Sequence, residues 1–471
     1  MTRIHFIGPY APIMCGIADY TRFITTPLPT ENWAVLSFDL KTYGGPQTNE
    51  DAAPRDCAWY GIPDDNRFSP SAIEEGLGKL RCNRDDAVLW FQHEFGIWPD
   101  NQKFISMIRQ LNLPKVITMH TVHFQSRETP YGLRRSEYRF LRELLPHVDA
   151  LTVFSRGARC AVNTALPEHR NKVYVMKHGI HSYPNVARMA RREAKERLGD
   201  FLLYESDLPH ETKEELYRQS ILTDPETIVV GQTGFLCPLK GSEHLYEVKD
   251  RLQRALPWKK IAAVRIGTPR DSTQEAYAGQ LAEKANFTDK LLIPTLLPPD
   301  ILPIAQRAFD INLYWPKDCT QSGIVAHALG AGAVIAGRDI EGTGETFKDA
   351  GSPTAPSLRQ LIMRMEQTIL FPEFVDIIEQ KALEYSIDFS WENQAQEHCA
   401  LAQSLVSTMV EPFERVVPVE IASEIVSDMA SVYLPAVDSP EKDGILTHVC
   451  SDAERPFIAN QDTTMQDAPV T

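Results

Sequence analysis

Several features are missing from this 471-residue sequence, and each absence removes a class of protein. No uninterrupted apolar stretch approaches the roughly 20 residues that cross a bilayer, so no membrane-spanning helix is expected. Basic residues are in deficit, 48 Lys+Arg against 63 Asp+Glu for a formal charge of −15. That balance excludes an extended nucleic-acid partner, which needs a basic face, while leaving room for local pockets that hold small anions. The eight cysteines stand far apart without a Cys-x-x-Cys. This favours reduced, mostly structural thiols over a disulfide framework. Neither His-Glu-x-x-His nor Gly-x-Ser-x-Gly occurs, which argues against a zinc hydrolase and a Ser-His-Asp hydrolase. The opening "MTRIHFIGPYAP" has no basic start, apolar run and small-residue cleavage site, so it reads as a first strand and a cytoplasmic location is expected.

What is present is a repeated grammar of short apolar runs separated by helical patterns. The runs "IHFIG", "WAVLSF", "AVLWF", "KVITM", "ALTVF" and "KVYVM" read as buried strands within residues 1–180. Between two of them, Tyr138, Leu141, Leu144 and Leu145 share one helical face before Pro146 stops the run. The pattern restarts after residue 226 with "TIVVGQTG", "IAAVRIG", "KLLIP", "INLYW" and "AVIAG". Strands alternating with helices imply parallel sheets, so the expected fold class is α/β with two Rossmann-like domains facing across a cleft. The expected divisions are 1–180 as an N-terminal acceptor-side domain, 181–225 as a charged linker with surface helices, and 226–395 as a C-terminal ligand-binding domain. Closing helices over 396–437 and a disordered acidic tail over 438–471 complete the chain.

Ligand loops of open α/β sheets lie at the carboxyl ends of strands, and those ends are where chemistry-bearing residues gather. Gly16 follows the first strand and precedes a helical pattern, where backbone N–H groups favour an anion, although a tight turn would explain it as well. Other strand ends carry His93 and Glu94, His120 and His123, Ser155 and Arg156, and Lys177 with His178. Three histidine-bearing ends fit the polar lining of a cleft better than a metal site, because no ligand spacing appears. In the second half Lys240 precedes a helix expected to start near Ser242 and to bury Leu245, Val248, Leu252 and Leu256. Its ammonium would add to the positive end of the helix dipole, as a phosphate site distinct from a Walker A loop, with a solvated loop lysine as the alternative. The stretch "CTQSGIVAHALGAGAVIAG", residues 319–337, reads as a strand-end loop, a short helix of small residues and the next strand. Ser322 and Gly323 at that helix start offer N–H groups to an anion, and Cys319 with His327 is not a metal pair.

The order of these motifs resembles the family-4 retaining glycosyltransferases, two-domain enzymes of the GT-B fold that use nucleotide-sugar donors. The resemblance spans roughly residues 3 to 405. It rests on "CGIADYT", "QHEFGI", "VITMHTVH", "VYVMKHGI", "GFLCPLKG", "EGTGE" and "FSWENQAQEH". It implies transfer of a hexose from a nucleoside diphosphate sugar to a carbohydrate or lipid-linked acceptor, with no cofactor and no catalytic metal. By the same resemblance His120, against the donor sugar, and Lys240, against the donor diphosphate, are the catalytic residues. Gly16, Ser322, Gly323, Cys319, His327 and Glu345 are then donor-binding, while His93, Glu94 and His178 lie on the acceptor side. Two departures stand out. Phe235 occupies the position of the family's arginine, leaving Arg265, Arg270 or an arginine of the first domain as candidates to replace its charge. The family's Glu-x7-Glu falls on Cys319 and His327, so both carboxylates of the donor wall are replaced. A catalytically impaired binding protein of the same fold, or a related sugar epimerase or phosphorylase, is the alternative that these departures keep open.

Overall fold

The computed structural model describes residues 2–47 and 57–410. The expected acidic tail over 438–471 and the closing helices past residue 410 lie outside the described residues. Two parallel sheets organise the rest. The first comprises β1 (Arg3–Ile7), β2 (Trp33–Phe38), β3 (Ala58–Ile62), β4 (Ala87–His93), β5 (Lys115–Met119), β6 (Ala150–Val153) and β7 (Val173–Val175), in the order β3-β2-β1-β4-β5-β6-β7. The second comprises β8 (Thr227–Thr233), β9 (Lys260–Ile266), β10 (Lys290–Ile293), β11 (Ile311–Tyr314), β12 (Ile335–Arg338) and β13 (Thr354–Ala355), in the order β10-β9-β8-β11-β12-β13. Every strand pairing within each sheet is parallel.

Both orders reverse direction beside their first strand, between β1 and β4 and between β8 and β11. Such a switch point leaves a crevice at the carboxyl ends, because the flanking connections run to opposite faces. The central strands β1, β2 and β4 are almost wholly buried, as expected for sheets covered by helices on both sides. All eleven apolar runs read from the sequence are strands. The two that were not foreseen, β3 and β13, are the outer strands.

Helix faces follow the apolar spacing with one revision. In the helix Glu243–Ala255, Leu245, Val248 and Leu252 are buried as expected, with Ser242 at its N-cap. The helix Arg135–Leu144 instead buries Glu137, Phe140, Leu141 and Leu144, leaving Tyr138 partly exposed. The register turns by one residue because the Glu137 carboxylate accepts from His123 Nδ1 at 2.5 Å and from the His123 N–H at 3.1 Å.

The expected linker over 181–225 is corrected by the packing. Its helices Arg191–Asp200 and His210–Gln219 flank a π-helical turn, Phe201–Glu205. Ala194, Leu198, Phe201 and Leu202 join Val229, Val264 and Ile266 in one core cluster of the second sheet. The apolar stripe is hard to read because Lys195 interrupts it. Its Nζ is buried and donates to the Thr227 carbonyl at 2.9 Å and to Asp310 at 2.8 Å. The last helix among the described residues, Trp391–Val410, returns to the first sheet, where Trp391, Leu401 and Leu405 pack with Phe6 and Trp90. Gly179 is obligatory at this crossing, since a Cβ there would lie 2.2 Å from the Trp391 ring.

Candidate functional site

The carboxyl ends of β8, β9 and β10 and the start of the helix Gly323–Gly330 enclose a cavity of about 370 Å³. Its wall includes Gly234, Phe235, Lys240, Gly267, Thr295, Leu297, Gln321, Ser322, Gly323 and His327. Lys240 is the single ionised side chain of the lining, which contains no carboxylate. It ends a 3-10 turn, Pro238–Lys240, with its Nζ 5.8 Å from the centre of the Tyr314 ring. No carboxylate among the described residues pairs with it. Opposite stands the start of the helix Gly323–Gly330, which has no side-chain cap and no acidic residue in its first turn. Ser322 Oγ is buried beside Tyr314 without a well-aligned hydrogen bond. An uncompensated ammonium, open helix N–H groups and an unsatisfied hydroxyl together favour an anion.

One turn into that helix, His327 Nδ1 lies 2.6 Å from the Tyr183 hydroxyl, and its ring stacks on His181 with centres 3.9 Å apart. Burial lowers the pKa of His327 to about 4, so it is neutral at pH 7. The phenol is the stronger acid of the pair and is the natural donor to Nδ1. That leaves the imidazole proton on Nε2.

Cys319 does not line this cavity. Its thiol donates to the Gln321 carbonyl at 2.9 Å and sits 3.1 Å from the Tyr314 hydroxyl, folded into its own strand-end turn. Burial pushes its pKa up, so it carries no charge. Glu345 is also elsewhere. Its carboxylate accepts from the N–H groups of Arg156 at 2.9 Å and Gly157 at 3.0 Å, and it pairs with Lys177. The first-domain helix Arg156–Ala165 therefore takes up the carboxylate that the sequence resemblance assigned to the donor. An acceptor on orphan N–H groups, next to a buried cation, outcompetes exposure to the cleft.

Across the cleft, His120 follows β5, and its carbonyl accepts from Thr320 Oγ1 at 3.1 Å. This bond sets His120 against the loop that leads into Ser322. Its Nε2 lies 2.7 Å from Gln92 Oε1, which places the ring proton on Nε2 and leaves Nδ1 as an acceptor. Burial lowers its pKa to about 3, so it is a neutral imidazole. His178 is partly buried beside Gln321, Ser322 and Thr343, and its Nδ1 donates to the Gly179 carbonyl at 2.8 Å. It therefore reaches the helix start of the second domain. Gly16 opens the helix Gly16–Thr25 with free space before its Cα, and Arg270 extends to the Met14 carbonyl at 3.4 Å.

His93 does not face the cleft. Its ring is fully buried, stacked on Phe140 at 4.6 Å and edge-on to Phe104, with neither nitrogen partnered. Strand alternation decides this: Gln92 turns toward His120, so the next side chain turns into the helix layer. Glu94 accepts from Thr121 Oγ1 at 2.6 Å and from the Phe95 N–H at 3.2 Å, and burial raises its pKa. The period-2 signal would have pointed to Gln92 as the site residue of β4. Among the described residues no group of three or more His, Cys, Asp or Glu side chains is arranged to hold a metal ion. No described helix is long and apolar enough to cross a membrane.

Two doubly wound parallel sheets closing on a cleft between their carboxyl ends define the GT-B fold. No family model and no curated protein matches the chain. Solved structures do. The Anabaena protein HepE in complex with UDP superposes with a TM-score of 0.58 at 13% identity, covering 86% of this chain and 100% of its own. A UDP-forming α,α-trehalose-phosphate synthase from Burkholderia xenovorans gives 0.60 at 12% identity, over 86% and 99%. Sucrose-phosphate synthase from Thermosynechococcus elongatus gives 0.60 at 12%, over 87% and 100%. At such identities the likeness is one of fold alone.

Proposed function

We propose that the protein transfers a hexose from a nucleoside diphosphate sugar to a carbohydrate or lipid-linked acceptor, with retention of configuration. The observation that carries this reading is the carboxylate-free cavity of the second domain, where Lys240 faces the open helix start at Ser322 and Gly323. The diphosphate would lie between them, with the base among Gly267, Thr295 and Leu297 and the ribose at His327. As the bond to the sugar breaks, charge grows on the leaving diphosphate. Lys240 and the Gly323 N–H would stabilise it through donors already in place. His120, neutral and oriented by Gln92, would hold a sugar hydroxyl without adding charge. HepE binds UDP and the trehalose-phosphate synthase is UDP-forming, which supports a nucleotide here.

A second reading is favoured by Cys319, which is turned away from the cavity: a protein of this fold that binds the nucleotide without turnover. Thermal unfolding with UDP, GDP, ADP and their sugars tests the first step, since a ligand at 100 times its Kd stabilises by about 2.7 kcal/mol. No shift with any of them would overturn both readings. Binding without release of sugar from any donor, in hydrolysis and transfer assays, would leave the second.

A further inference from the structure

The charge absent at Phe235 has a counterpart beneath the same loop. Arg265, on β9, is 1% exposed, and each of its five N–H groups finds an acceptor. Nε donates to Ser242 Oγ at 3.0 Å, and Nη1 to the carbonyls of Gln232 at 3.2 Å and Ile266 at 2.5 Å. Nη2 donates to the carbonyls of Gly234 at 2.8 Å and Phe235 at 2.9 Å. These acceptors are neutral, and no carboxylate among the described residues pairs with the guanidinium. Burial lowers its pKa to about 10, so it remains charged at pH 7.

A buried cation without a counter-ion is costly, and ordinarily a carboxylate answers it. Here an anion in the cavity would do so. Gly234 and Phe235 line that cavity on one side and bind the guanidinium on the other. In a planar trans peptide the carbonyl and the N–H point opposite ways. With the Gly234 carbonyl turned onto Arg265, the Phe235 N–H is turned away from it. Gly234 adopts a φ of +104°, which a side chain would oppose. The guanidinium therefore fixes the loop and sets a positive charge behind it.

Resting on the nucleotide reading above, we propose that Arg265 is the positioning residue for the donor diphosphate: from under the Gly234–Phe235 loop it replaces the missing arginine, aiming the loop N–H and supplying the charge. Arg270 does not share this role, since it is exposed and reaches the Met14 carbonyl of the first domain.

The test measures affinity for UDP, GDP and ADP, each against its own nucleoside, together with inorganic pyrophosphate as a base-independent probe. Arg265→Met is expected to weaken the diphosphates and pyrophosphate by roughly 10-fold or more, the scale of a charged hydrogen bond, while nucleosides change little. Arg265→Lys keeps the charge and is expected to retain most of the discrimination. Phe235→Arg in the Arg265→Met background is expected to restore it from above the loop, a rescue that a purely structural role would not permit. Should Arg265→Met fail to fold, Ser242→Asp sets a carboxylate against the same guanidinium at a position that favours an N-cap, and the same loss is expected. Equal loss for nucleosides and diphosphates, no loss in folded Ser242→Asp, or no rescue by Phe235→Arg overturns the proposal. If the unmodified protein binds none of the diphosphates better than its nucleoside, the nucleotide reading itself falls, which is a separate outcome.

Discussion

Replacing Lys240 by alanine separates the phosphate site from the rest of the cavity. The side chain packs little: its turn is short and half-exposed, and its closest aromatic contact is Tyr314 at 5.8 Å. A cation over an aromatic face at such a partly exposed site contributes about 0.5–1 kcal/mol, so the unfolding midpoint should move only slightly. Binding should respond differently. Lys240 has no carboxylate to neutralise it, and it is the single ionised group of the lining, so its loss is not buffered by a second lysine or arginine there. A hydrogen bond to a charged group is worth about 1.5–3 kcal/mol, which is about 10- to 150-fold in Kd. That loss is expected for the diphosphate and almost none for the free nucleoside. Calorimetric titration of both ligands into both proteins measures the difference directly. Equal losses for the two, or none for the diphosphate, would refute a phosphate at this loop. Ionic strength gives a further check, because the exposed end of the pocket is screened within about 8 Å at 0.15 M salt.

His120→Ala should lower kcat for sugar transfer by about 100-fold or more while leaving the nucleotide Kd within a few-fold, in line with lost transition-state contacts, and unchanged kcat would remove His120 from the site. His327→Glu should preserve or tighten nucleotide binding, since Tyr183 can donate to a carboxylate as it does to Nδ1; abolished binding in a folded variant would remove the ribose from this position. Glu345→Gln leaves Lys177 with Asp349 alone and should destabilise by up to about 3 kcal/mol, the lower end for breaking a buried pair, whereas less than 0.5 kcal/mol in urea unfolding would contradict the packing. Stability should peak near neutrality. Burial holds His5, His93, His181 and His398 at pKa values of about 3, 3, 2 and 4, below the unfolded 6.5, so the unfolded chain binds more protons in acid and each costs about 1.4 kcal/mol by pH 5.5. His123 acts in the other direction: burial lowers it, but Glu137 and Asp318 together hold it above 6.5, so its contribution is complete below 6.5 and lost as pH rises through the raised value. Denaturant midpoints from pH 5 to 8.5 should fall on both sides, and a flat acid limb would contradict neutral buried histidines.

The sheets were legible because parallel strands covered on both faces leave nearly continuous apolar runs, and the runs near residues 33 and 87 are of that kind. Where cover is partial the signal fades. The outer strand "AWYGI" is only partly buried at its three middle positions and carries a glycine, so nothing in it reads as a run. The helices of 181–225 read as surface because a narrow apolar stripe shares its face with Lys195, whose burial depends on Asp310, more than 100 residues away. Site residues divide in the same manner. Lys240, Ser322, Gly323 and His327 meet at one cavity because their local strand-turn-helix context was readable. His93 differs from its expected place by one residue of strand phase, and Glu345 because its partners belong to the other domain.

Those long-range partners explain an apparent contradiction in the charge pattern. The chain is strongly acidic, yet its candidate donor cavity holds no carboxylate. The carboxylates of the second domain that stand nearest the cleft are directed at the first domain instead. Asp318 meets His123 at 3.1 Å and pairs with Arg134, Glu341 accepts from the N–H groups of Phe124 at 2.7 Å and Gln125 at 3.2 Å, and Glu345 and Asp349 share Lys177 and Arg156. Each is matched to a cation or to free N–H groups, so closing the cleft buries charge in pairs and adds little net field. The unpaired positive charge of Lys240 and Arg265 is left inside, in a low-dielectric wall where an anion gains more than it would in water. Where the resemblance would place a second glutamate, the lining has the neutral imidazole of His327, and under the proposed reading no carboxylate of the wall would oppose a diphosphate. If the cavity takes a nucleotide sugar as proposed, the loss of carboxylates would weaken recognition of sugar and ribose hydroxyls while strengthening the electrostatic hold on the phosphates.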